Sequence, residues 1–417
     1  MSYERHIDFF CTFADMKHCL FLFLYAVALT LCSCHQLQEH KTVICIPVYG
    51  QSLALGEEAI RITDFDSLSQ YANGRIVTEK MDHDFGYFEP NTLKRNLKKI
   101  TNYQERAFEL SVYSMAELLA DNTGNDTLIC IFPGGQGATD IAHLGKGSEA
   151  YQVFINDITT AYHAAHERGW DFLLPAICWM QGESDIIDYP KTDYRQLLLQ
   201  FMKDINKDIK QITNQQQDIH LICYQTNPVS KAKNFNPISY HCQETTVPQT
   251  LLELVRDSSR FHASGPIYPY DYAREAIHLD GKGQRAHGKL VGLAALDILH
   301  HRKQIRALLP LGLTSQNNEV IVHFNVPTPP LCLDTLTVRK ANHYGFSVIT
   351  PDNRDIAERI IIEGDNIHIL CTESPAYTKV RYAVNGEPMK SGRIHGPRGN
   401  LCDAAGHWCY QFDMLCK

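Results

Sequence analysis

The chain has 417 residues, of which 44% are hydrophobic and 21% are charged, and its formal net charge is −8. This length exceeds one ordinary domain and the composition allows a sizeable core, so we predict a globular protein with two domains. The negative charge, without a long run of lysine or arginine, argues against nucleic acid as the main partner.

The first part of the chain is typical of a secretory leader. Met16 and a charged residue precede an apolar stretch at residues 19–31, and the stretch ends in Leu-Cys-Ser-Cys. This ending resembles a bacterial lipobox, a signal in which the cysteine, here Cys34, carries the lipid. We therefore predict a leader over residues 1–34, with Met16 as the true start, and export to the bacterial cell envelope as a lipoprotein. The lipid on Cys34 would be its membrane contact. The alternative is a transmembrane anchor, for which the apolar stretch is short.

The 14 cysteines give little sign of a metal site. No two of them form a C-x-x-C pair, and we predict no metal. Those inside apolar runs are interpreted as small core residues. Cys402, Cys409 and Cys416 allow one disulfide, whose partners the sequence leaves open.

Short apolar runs alternate with longer amphipathic segments between residues 41 and 305. The pattern predicts strands at residues 43–48, 128–132, 173–179 and 219–224, and helices at 149–168, 193–212 and 284–300. Such alternation indicates an α/β domain, with helices on both faces of a parallel sheet. From residue 306 to 417 the runs are short, β-rich and separated by turn residues, which predicts a small β-sandwich domain.

Four polar blocks stand at predicted strand ends or just before predicted helices. They are Gly50-Gln51-Ser52, the glycine-rich residues 133–137, W-M-Q-G-E-S-D at 179–185 and E-A-I-H-L-D-G at 275–281. Open α/β folds place their chemistry at the carboxyl ends of strands. A serine, a histidine and carboxylates in such positions are the parts of a nucleophilic hydrolase. Glycine-rich turns let backbone N–H groups approach an oxyanion.

In this order, the four blocks resemble those of the SGNH hydrolases, and most closely the sialate O-acetylesterase-like (SASA) branch with the family-six carbohydrate esterases. The resemblance covers roughly residues 41–305. It implies a three-layer α/β/α fold of flavodoxin type. It also implies a serine esterase that removes O-acetyl groups from a carbohydrate through an acetyl-enzyme, without a metal or organic cofactor. Sialic acid and xylan are both possible acetylated substrates.

Carried over onto this sequence, the resemblance makes Ser52 the nucleophile and His278 the general base and then the acid. The oxyanion hole would use the N–H groups of Ser52 and Gly135 and the side-chain amide of Gln181. Many relatives have an aspartate three residues before the histidine, where this chain has Glu275. Glu183 is the competing candidate for the acid that orients the histidine, and the choice stays open.

Three further residues, Gln51, Gln136 and Asp140, are expected to contact the substrate. Residues 396–401 of the second domain are a candidate loop at the active site. Two alternative functions stay open: a non-catalytic carbohydrate-binding protein on an esterase scaffold, and an SGNH esterase or thioesterase for another acyl group. The presence of both serine and histidine disfavours the first, and W-x-Q-G-E disfavours the second.

Overall fold

The structure is a computed structural model that describes residues 40–80, 84–86, 108–187, 193–227, 236–274, 276–302 and 305–417. The predicted leader, Cys34 and Glu275 therefore lie outside the described residues. Residues Lys41–Lys417 form one compact unit. In the part of the chain that is described, no helix combines the length and apolarity needed to cross a membrane.

A largely parallel sheet forms the centre of the first part of this unit. Its strands are β1 (Thr42–Cys45), β2 (Val48–Gly50), β3 (Ile76–Lys80), β4 (Asp84–Gly86), β5 (Thr127–Cys130), β6 (Pro133–Gly135), β7 (Asp171–Leu173), β8 (Ala176–Met180), β9 (His220–Gln225) and β10 (Phe261–Pro266). They pair in the orders β4-β3-β5-β1-β7 and β10-β9-β8-β2-β6. Strands β1 and β2 are two halves of one extended segment, and so are β5 and β6, and β7 and β8. Hydrogen bonds from Ile46 N–H to the Cys130 carbonyl and from Val48 N–H to the Phe132 carbonyl cross the breaks, which makes one continuous sheet.

Helices cover both faces of this sheet. They are α1 (Phe65–Gln70), α2 (Ser111–Asp121), α3 (Glu149–His166), α4 (Glu183–Ile187), α5 (Tyr194–Thr213), α6 (Thr246–Asp257) and α7 (Gly281–Leu299). Buried residues of α3, α5 and α6 share one hydrophobic cluster, and those of α2 and α7 share the cluster on the opposite face. The three-layer α/β/α architecture predicted from the sequence is therefore confirmed.

Local sequence explains where the main helices begin. The side chains of Ser148, Asp193 and Asp280 cap the first turns of α3, α5 and α7, each by accepting a backbone N–H. Helices α2 and α7 pack so closely that a Cβ atom on Gly288 would lie 1.9 Å from the Ser111 carbonyl oxygen. Glycine is required there because no side chain fits between the two backbones.

Antiparallel strands build the region after residue 306. They are β11 (Leu309–Gln316), β12 (Glu319–Asn325), β13 (Leu331–Leu333), β14 (Phe346–Ile349), β15 (Ala357–Glu363), β16 (Asn366–Cys371), β17 (Lys379–Tyr382), β18 (Leu401–Asp403) and β19 (Phe412–Leu415), with the short helix α8 (Gly392–His395). The sheets β11-β12-β16-β15 and β14-β17-β19 bury their inner side chains in one cluster, and β13 pairs with β18. This arrangement fits the predicted β-sandwich.

The hydrophobic core runs across the predicted boundary at residue 305/306, and polar contacts join the two sides. Tyr268 donates a hydrogen bond to the Cys409 carbonyl at 3.0 Å. The Gln225 side chain makes two hydrogen bonds with the backbone of Gln411, at 2.8 and 2.7 Å. The last helix of the α/β region ends at Leu299, and the first antiparallel strand begins at Leu309. The division into two domains stays a prediction, because the two regions share one core.

Candidate active site

Three of the four sequence blocks follow neighbouring strands of the sheet. Strand β2 lies between β6 and β8, and Gly50 is in register with Gly135 on one side and Met180 on the other. Ser52 therefore emerges beside the end of β6 and beside Gln181. The carboxyl ends of these parallel strands form the edge at which open α/β folds bind ligands.

The glycines of these blocks are required by close approach of the strands. A Cβ atom on Gly50 would lie 2.0 Å from the Met180 carbonyl oxygen, and one on Gly135 would lie 1.9 Å from the Gly50 carbonyl oxygen. Gly135 also has φ +113°, a conformation that side-chain-bearing residues rarely adopt. The glycines therefore bring the serine turn and the glycine-rich block together.

The serine and the histidine of the first and fourth blocks are in direct contact. Ser52 Oγ lies 2.8 Å from His278 Nε2, and His278 Nδ1 lies 2.9 Å from an oxygen of Glu58. A carboxylate at Nδ1 accepts the imidazole N–H, so Nε2 is left with its lone pair toward the serine hydroxyl. The histidine side chain is 14% exposed and Ser52 is 4% exposed. This tautomer and this access suit a serine that gives its proton to the histidine.

Glu58 was not singled out in the sequence analysis, although it stands six residues after Ser52. Its backbone has φ +64°, and Gly56, on the other side of Glu57, has φ +68°. These two left-handed residues reverse the chain, which brings the carboxylate back to His278. The second Glu58 oxygen pairs with the guanidinium of Arg274 at 3.2 Å. The two glutamates Glu57 and Glu58, so close to the serine, were the sequence feature that could have indicated a third catalytic residue. The left-handed backbone that turns Glu58 toward His278 could not be predicted from the sequence.

The two predicted orienting acids do not supply this carboxylate in the described structure. Glu275 lies outside the described residues, and its role stays a prediction. Glu183 is buried, and its Oε2 accepts a hydrogen bond from the Tyr224 hydroxyl at 2.5 Å. Desolvation by burial raises the pKa of Glu183 to about 8, so this carboxyl is mostly protonated at neutral pH. The acid bonded to His278 is therefore Glu58 and not Glu183.

The three predicted oxyanion donors differ in their surroundings. Within the described part of the chain, the Ser52 N–H has no hydrogen-bond acceptor. Gly135 is half-buried at the end of the edge strand β6, next to the serine turn. Gln181 is fully buried, and its amide nitrogen donates to the Thr139 carbonyl at 3.4 Å and to the carboxylate of Asp185. Both amide hydrogens of Gln181 thus have internal acceptors, which corrects the expectation that they face the oxyanion.

Gln51, predicted to contact the substrate, is buried and has a structural role. Its side-chain oxygen accepts the N–H groups of Gly182 and Ser184, at 3.2 and 3.1 Å. Free N–H groups at the start of a helix need such an acceptor. Gln51 therefore ties the serine turn to the beginning of α4 and does not present its carbonyl to the cleft.

The other two predicted substrate contacts lie after β6. Gln136 is exposed, and its backbone N–H donates to the Gly50 carbonyl at 3.0 Å. Asp140 accepts the backbone N–H and the ring nitrogen of His143, at 3.1 and 2.8 Å, and so caps a short turn. Of these two side chains, that of Gln136 is the freer to meet a ligand. Across the described ranges, no group of three or more His, Cys, Asp or Glu side chains is placed to hold a metal ion.

Comparisons with known proteins point to one family. The family described as carbohydrate esterase, sialic acid-specific acetylesterase (SASA) matches residues 90–294, which contain the second, third and fourth blocks but not Ser52. A carbohydrate acetylesterase from Xanthomonas citri has a similar solved structure, with a TM-score of 0.60 at 15% identity over 90% of this chain and 80% of that one. A search of curated proteins finds no match.

Two further solved structures are less similar. A protein from Arabidopsis thaliana has a TM-score of 0.44 at 13% identity, over 62% of this chain and 98% of that one. NanS has a TM-score of 0.42 at 15% identity, over 63% of this chain and 99% of that one. The Xanthomonas citri enzyme is the one of these three that supports the fold. The family match over residues 90–294 confirms the resemblance to SASA carbohydrate esterases that the sequence blocks predict.

Proposed function

We propose that this protein is a serine esterase that hydrolyses O-acetyl esters of carbohydrates, with Ser52, His278 and Glu58 as its catalytic triad. The observation that carries the proposal is the hydrogen-bonded chain from Ser52 Oγ through His278 to Glu58. These residues lie at the strand ends of the α/β region, and residues 90–294 of that region match the family described as sialic acid-specific acetylesterases.

Ser52, His278 and Glu58 each act in acylation and again in deacylation. His278 Nε2 takes the Ser52 proton while Oγ attacks the acetyl carbonyl, and it then gives that proton to the leaving sugar oxygen. Water attacks the acetyl-enzyme with the same histidine as base, which releases acetate and restores the serine. Glu58 stabilises the imidazolium that forms in both steps, and Arg274 holds the second carboxylate oxygen in place.

The negative charge on the carbonyl oxygen needs donors at the serine turn. The Ser52 N–H, which has no acceptor within the described residues, and the neighbouring Gly135 N–H are the proposed donors. Each such donor contributes roughly a hundredfold or more to the rate in comparable enzymes. A side-chain amide from Gln181 is not part of this proposal, because Asp185 holds it.

Acetate release tests the proposal directly. The substrates are O-acetylated sialic acid, acetylated xylan and a small aryl acetate, and the variant is Ser52→Ala. The matched control is Ser264→Ala, which removes another buried serine bonded to a histidine, at 2.9 Å from His287 Nε2. We expect Ser52→Ala to abolish release and Ser264→Ala to keep it. The preferred substrate then identifies the sugar class.

Two other outcomes would replace the proposal. Sugar binding without acetate release from any substrate would favour a non-catalytic carbohydrate-binding protein. Release from the aryl acetate or a thioester, with no release from either sugar, would favour an SGNH enzyme for another acyl group. Activity retained in Ser52→Ala would overturn the assignment of the nucleophile.

Export with a lipid at Cys34 belongs to the same proposal and is supported by the apolar stretch before that residue. In a bacterial host, we expect the full chain in the membrane fraction and the Cys34→Ser variant in the soluble fraction. A Cys34→Ser variant that stays in the membrane would instead support a transmembrane anchor.

A further inference from the structure

The catalytic histidine stands directly after a strained residue. Ile277 has φ +58°, which is rare for a β-branched residue because its side chain crowds the backbone. The His278 N–H bonds to the Ala276 carbonyl at 2.7 Å, which closes a tight turn around Ile277. A conformation of this kind persists only when surrounding groups hold it.

The antiparallel region supplies such a group. Ser391 is buried, and its hydroxyl oxygen accepts the Ile277 N–H at 3.2 Å. Two residues further on, the Arg393 guanidinium contacts both carboxylate oxygens of Asp271, at 2.7 and 2.9 Å. Residues 391–393, named here the 391–393 clamp, thus contact the histidine segment within its turn, at Ile277, and before the turn, at Asp271.

Glycine in the middle of the clamp allows this contact. A Cβ atom on Gly392 would lie 2.7 Å from the Tyr272 ring, and Gly392 has φ +82°. The clamp is itself held by the antiparallel region, because the Arg393 carbonyl accepts the Arg339 N–H at 3.0 Å. Asn227, which follows β9, also donates to the Pro397 carbonyl at 3.0 Å. The antiparallel region therefore holds the clamp, and the chain just after the clamp is bonded to the α/β region at Asn227.

We infer that the 391–393 clamp positions His278 for catalysis, with the Ser391 hydroxyl as its main contact. The inference rests on the proposed esterase function. It makes the antiparallel region a part of the catalytic machinery, although Ser391 acts through Ile277 and does not touch the reacting atoms. Residues 396–401 were predicted to approach the site, whereas the contact with the histidine segment comes from residues 391–393.

Ser391→Ala tests the inference. It should lower kcat about tenfold with a smaller change in KM, because a misplaced base weakens the chemical step more than binding. Ser391→Thr keeps the hydroxyl, and the extended backbone of Ser391 accepts a β-branched residue, so activity should be largely restored. Ser347→Ala is the matched control. Ser347 is a buried serine of β14, and within the described residues its hydroxyl has no hydrogen-bond partner.

A second readout separates this inference from the choice of substrate. A fluorophosphonate probe reacts with an activated serine without any sugar, so its rate of reaction with Ser52 reports the serine–histidine geometry. Slower labelling of Ser391→Ala, with normal labelling of Ser347→Ala, supports the clamp even if no sugar ester is hydrolysed. Equal kcat and equal labelling in Ser391→Ala and wild type would overturn it. So would a loss that Ser391→Thr fails to restore.

An independent observation concerns two cysteines of the antiparallel region. Cys332 of β13 is directly opposite Cys402 of β18, and their sulfur atoms lie 3.4 Å apart. Cys409, another candidate for a disulfide in the sequence, directs its thiol to the Tyr410 carbonyl at 3.3 Å. Directly opposite cysteines on paired strands have Cα and Cβ separations that a disulfide can span.

We propose that Cys332 and Cys402 form a disulfide when the protein is exported. Cys332 is partly exposed and Cys402 is buried, so Cys332 is the thiol that an oxidant reaches first. It forms a mixed disulfide with a disulfide-containing oxidant, and Cys402 then displaces the oxidant's second thiol. Two protein thiols are oxidised, and one oxidant disulfide is reduced to two thiols.

Thiol mapping tests this disulfide. The full chain is equilibrated with excess oxidised glutathione, unfolded, alkylated and digested, and we expect one linked peptide pair joining Cys332 and Cys402. Cys332→Ser should abolish that linked pair. Cys371→Ser, which replaces a buried cysteine of β16, should keep it. Alkylation of both cysteines in the oxidised sample, or a link from Cys402 to Cys409 or Cys416, would contradict the proposal.

Discussion

Two histidines in the described part of the α/β region contact serine hydroxyls, and the surroundings of the two rings differ. Ser52 and His278 lie at the strand ends, with Glu58 at the other ring nitrogen. His287 lies in the core between Ser111 and Ser264, at 2.9 Å from each hydroxyl. It is fully buried, and desolvation lowers its pKa to about 3.

The comparison shows what turns a serine–histidine contact into a catalytic pair. A histidine that accepts the serine proton becomes a cation, which needs a nearby carboxylate and some access to solvent. His278 has both, whereas His287 is surrounded by hydroxyl groups in a closed core. Its two serine contacts satisfy the polar atoms of a buried ring, which is a structural role.

The largest expected effect comes from removing each histidine. His278→Ala should lower kcat by about a thousandfold or more, because the serine loses its base. His287→Ala should leave kcat of the folded enzyme within a fewfold of wild type but lower its Tm, because the buried Ser264 hydroxyl loses its partner and Ser111 loses one of its hydrogen bonds. Acetate release and thermal unfolding of both variants check this. A large loss of kcat in folded His287→Ala would contradict the assignment of a purely structural role to His287.

The next largest loss of kcat is expected on replacing the acid that contacts His278. Glu58→Gln keeps the size of the side chain but removes the charge that stabilises the imidazolium, so kcat should fall roughly a hundredfold or more. Glu183→Gln and Glu275→Gln should each change kcat much less. Steady-state kinetics of the three variants decide between them. The largest loss in Glu183→Gln or Glu275→Gln would move the third member of the triad to that residue.

A smaller effect is expected at Arg274. Its side chain is 70% exposed, so its ion pair with Glu58 is screened by solvent. Arg274→Gln should therefore lower kcat only severalfold, and high salt should narrow the difference from wild type. Kinetics at low and high ionic strength measure this. A loss as large as that of Glu58→Gln would mean that Arg274 itself contacts the substrate.

The smallest effects on activity, but distinct effects on stability, come from two buried groups with shifted pKa values. The folded pKa of Glu183 is raised from 4.5 to about 8, so its contribution is complete below pH 4.5 and is lost as pH rises toward 8. The folded pKa of His287 is lowered from 6.5 to about 3, so its contribution is present above pH 6.5 and is lost as pH falls toward 3.

The corresponding variants should change the pH dependence of unfolding in opposite directions. Glu183→Gln should reduce the loss of stability between pH 5 and 8, and His287→Gln should reduce the loss below pH 6.5. Denaturant unfolding across this pH range gives both slopes. Unchanged slopes would mean that neither group keeps its shifted pKa in the folded protein.

Much of the fold was predictable because it follows from local pattern. The amphipathic repeat predicted a helix at residues 193–212, and the structure has Tyr194–Thr213. The last helix was predicted to begin at residue 284 but begins at Gly281, because the Asp280 cap compensates for two glycines in its first turn. Turn residues between short β-rich runs likewise predicted the antiparallel region.

The site was predictable only in part, because side-chain direction depends on turns. The strand ends predicted that Ser52 and His278 would lie at one edge, and family resemblance supplied their roles. Glu58 reaches His278 through two left-handed residues, which no periodicity reveals. The Gln181 amide is directed away from the cleft because the carboxylate of Asp185, four residues further on, accepts its hydrogen bond.

The central claim is that Ser52 forms the acyl-enzyme, and rapid quenching tests it most directly. The full chain is mixed with an aryl acetate, stopped in acid within the first turnover, digested and mapped by mass spectrometry. We predict one acetyl group on the peptide that contains Ser52, and none on that peptide in Ser52→Ala. Turnover of the ester with the acetyl group on another residue, or with no acetylated peptide during a burst of product, would contradict it.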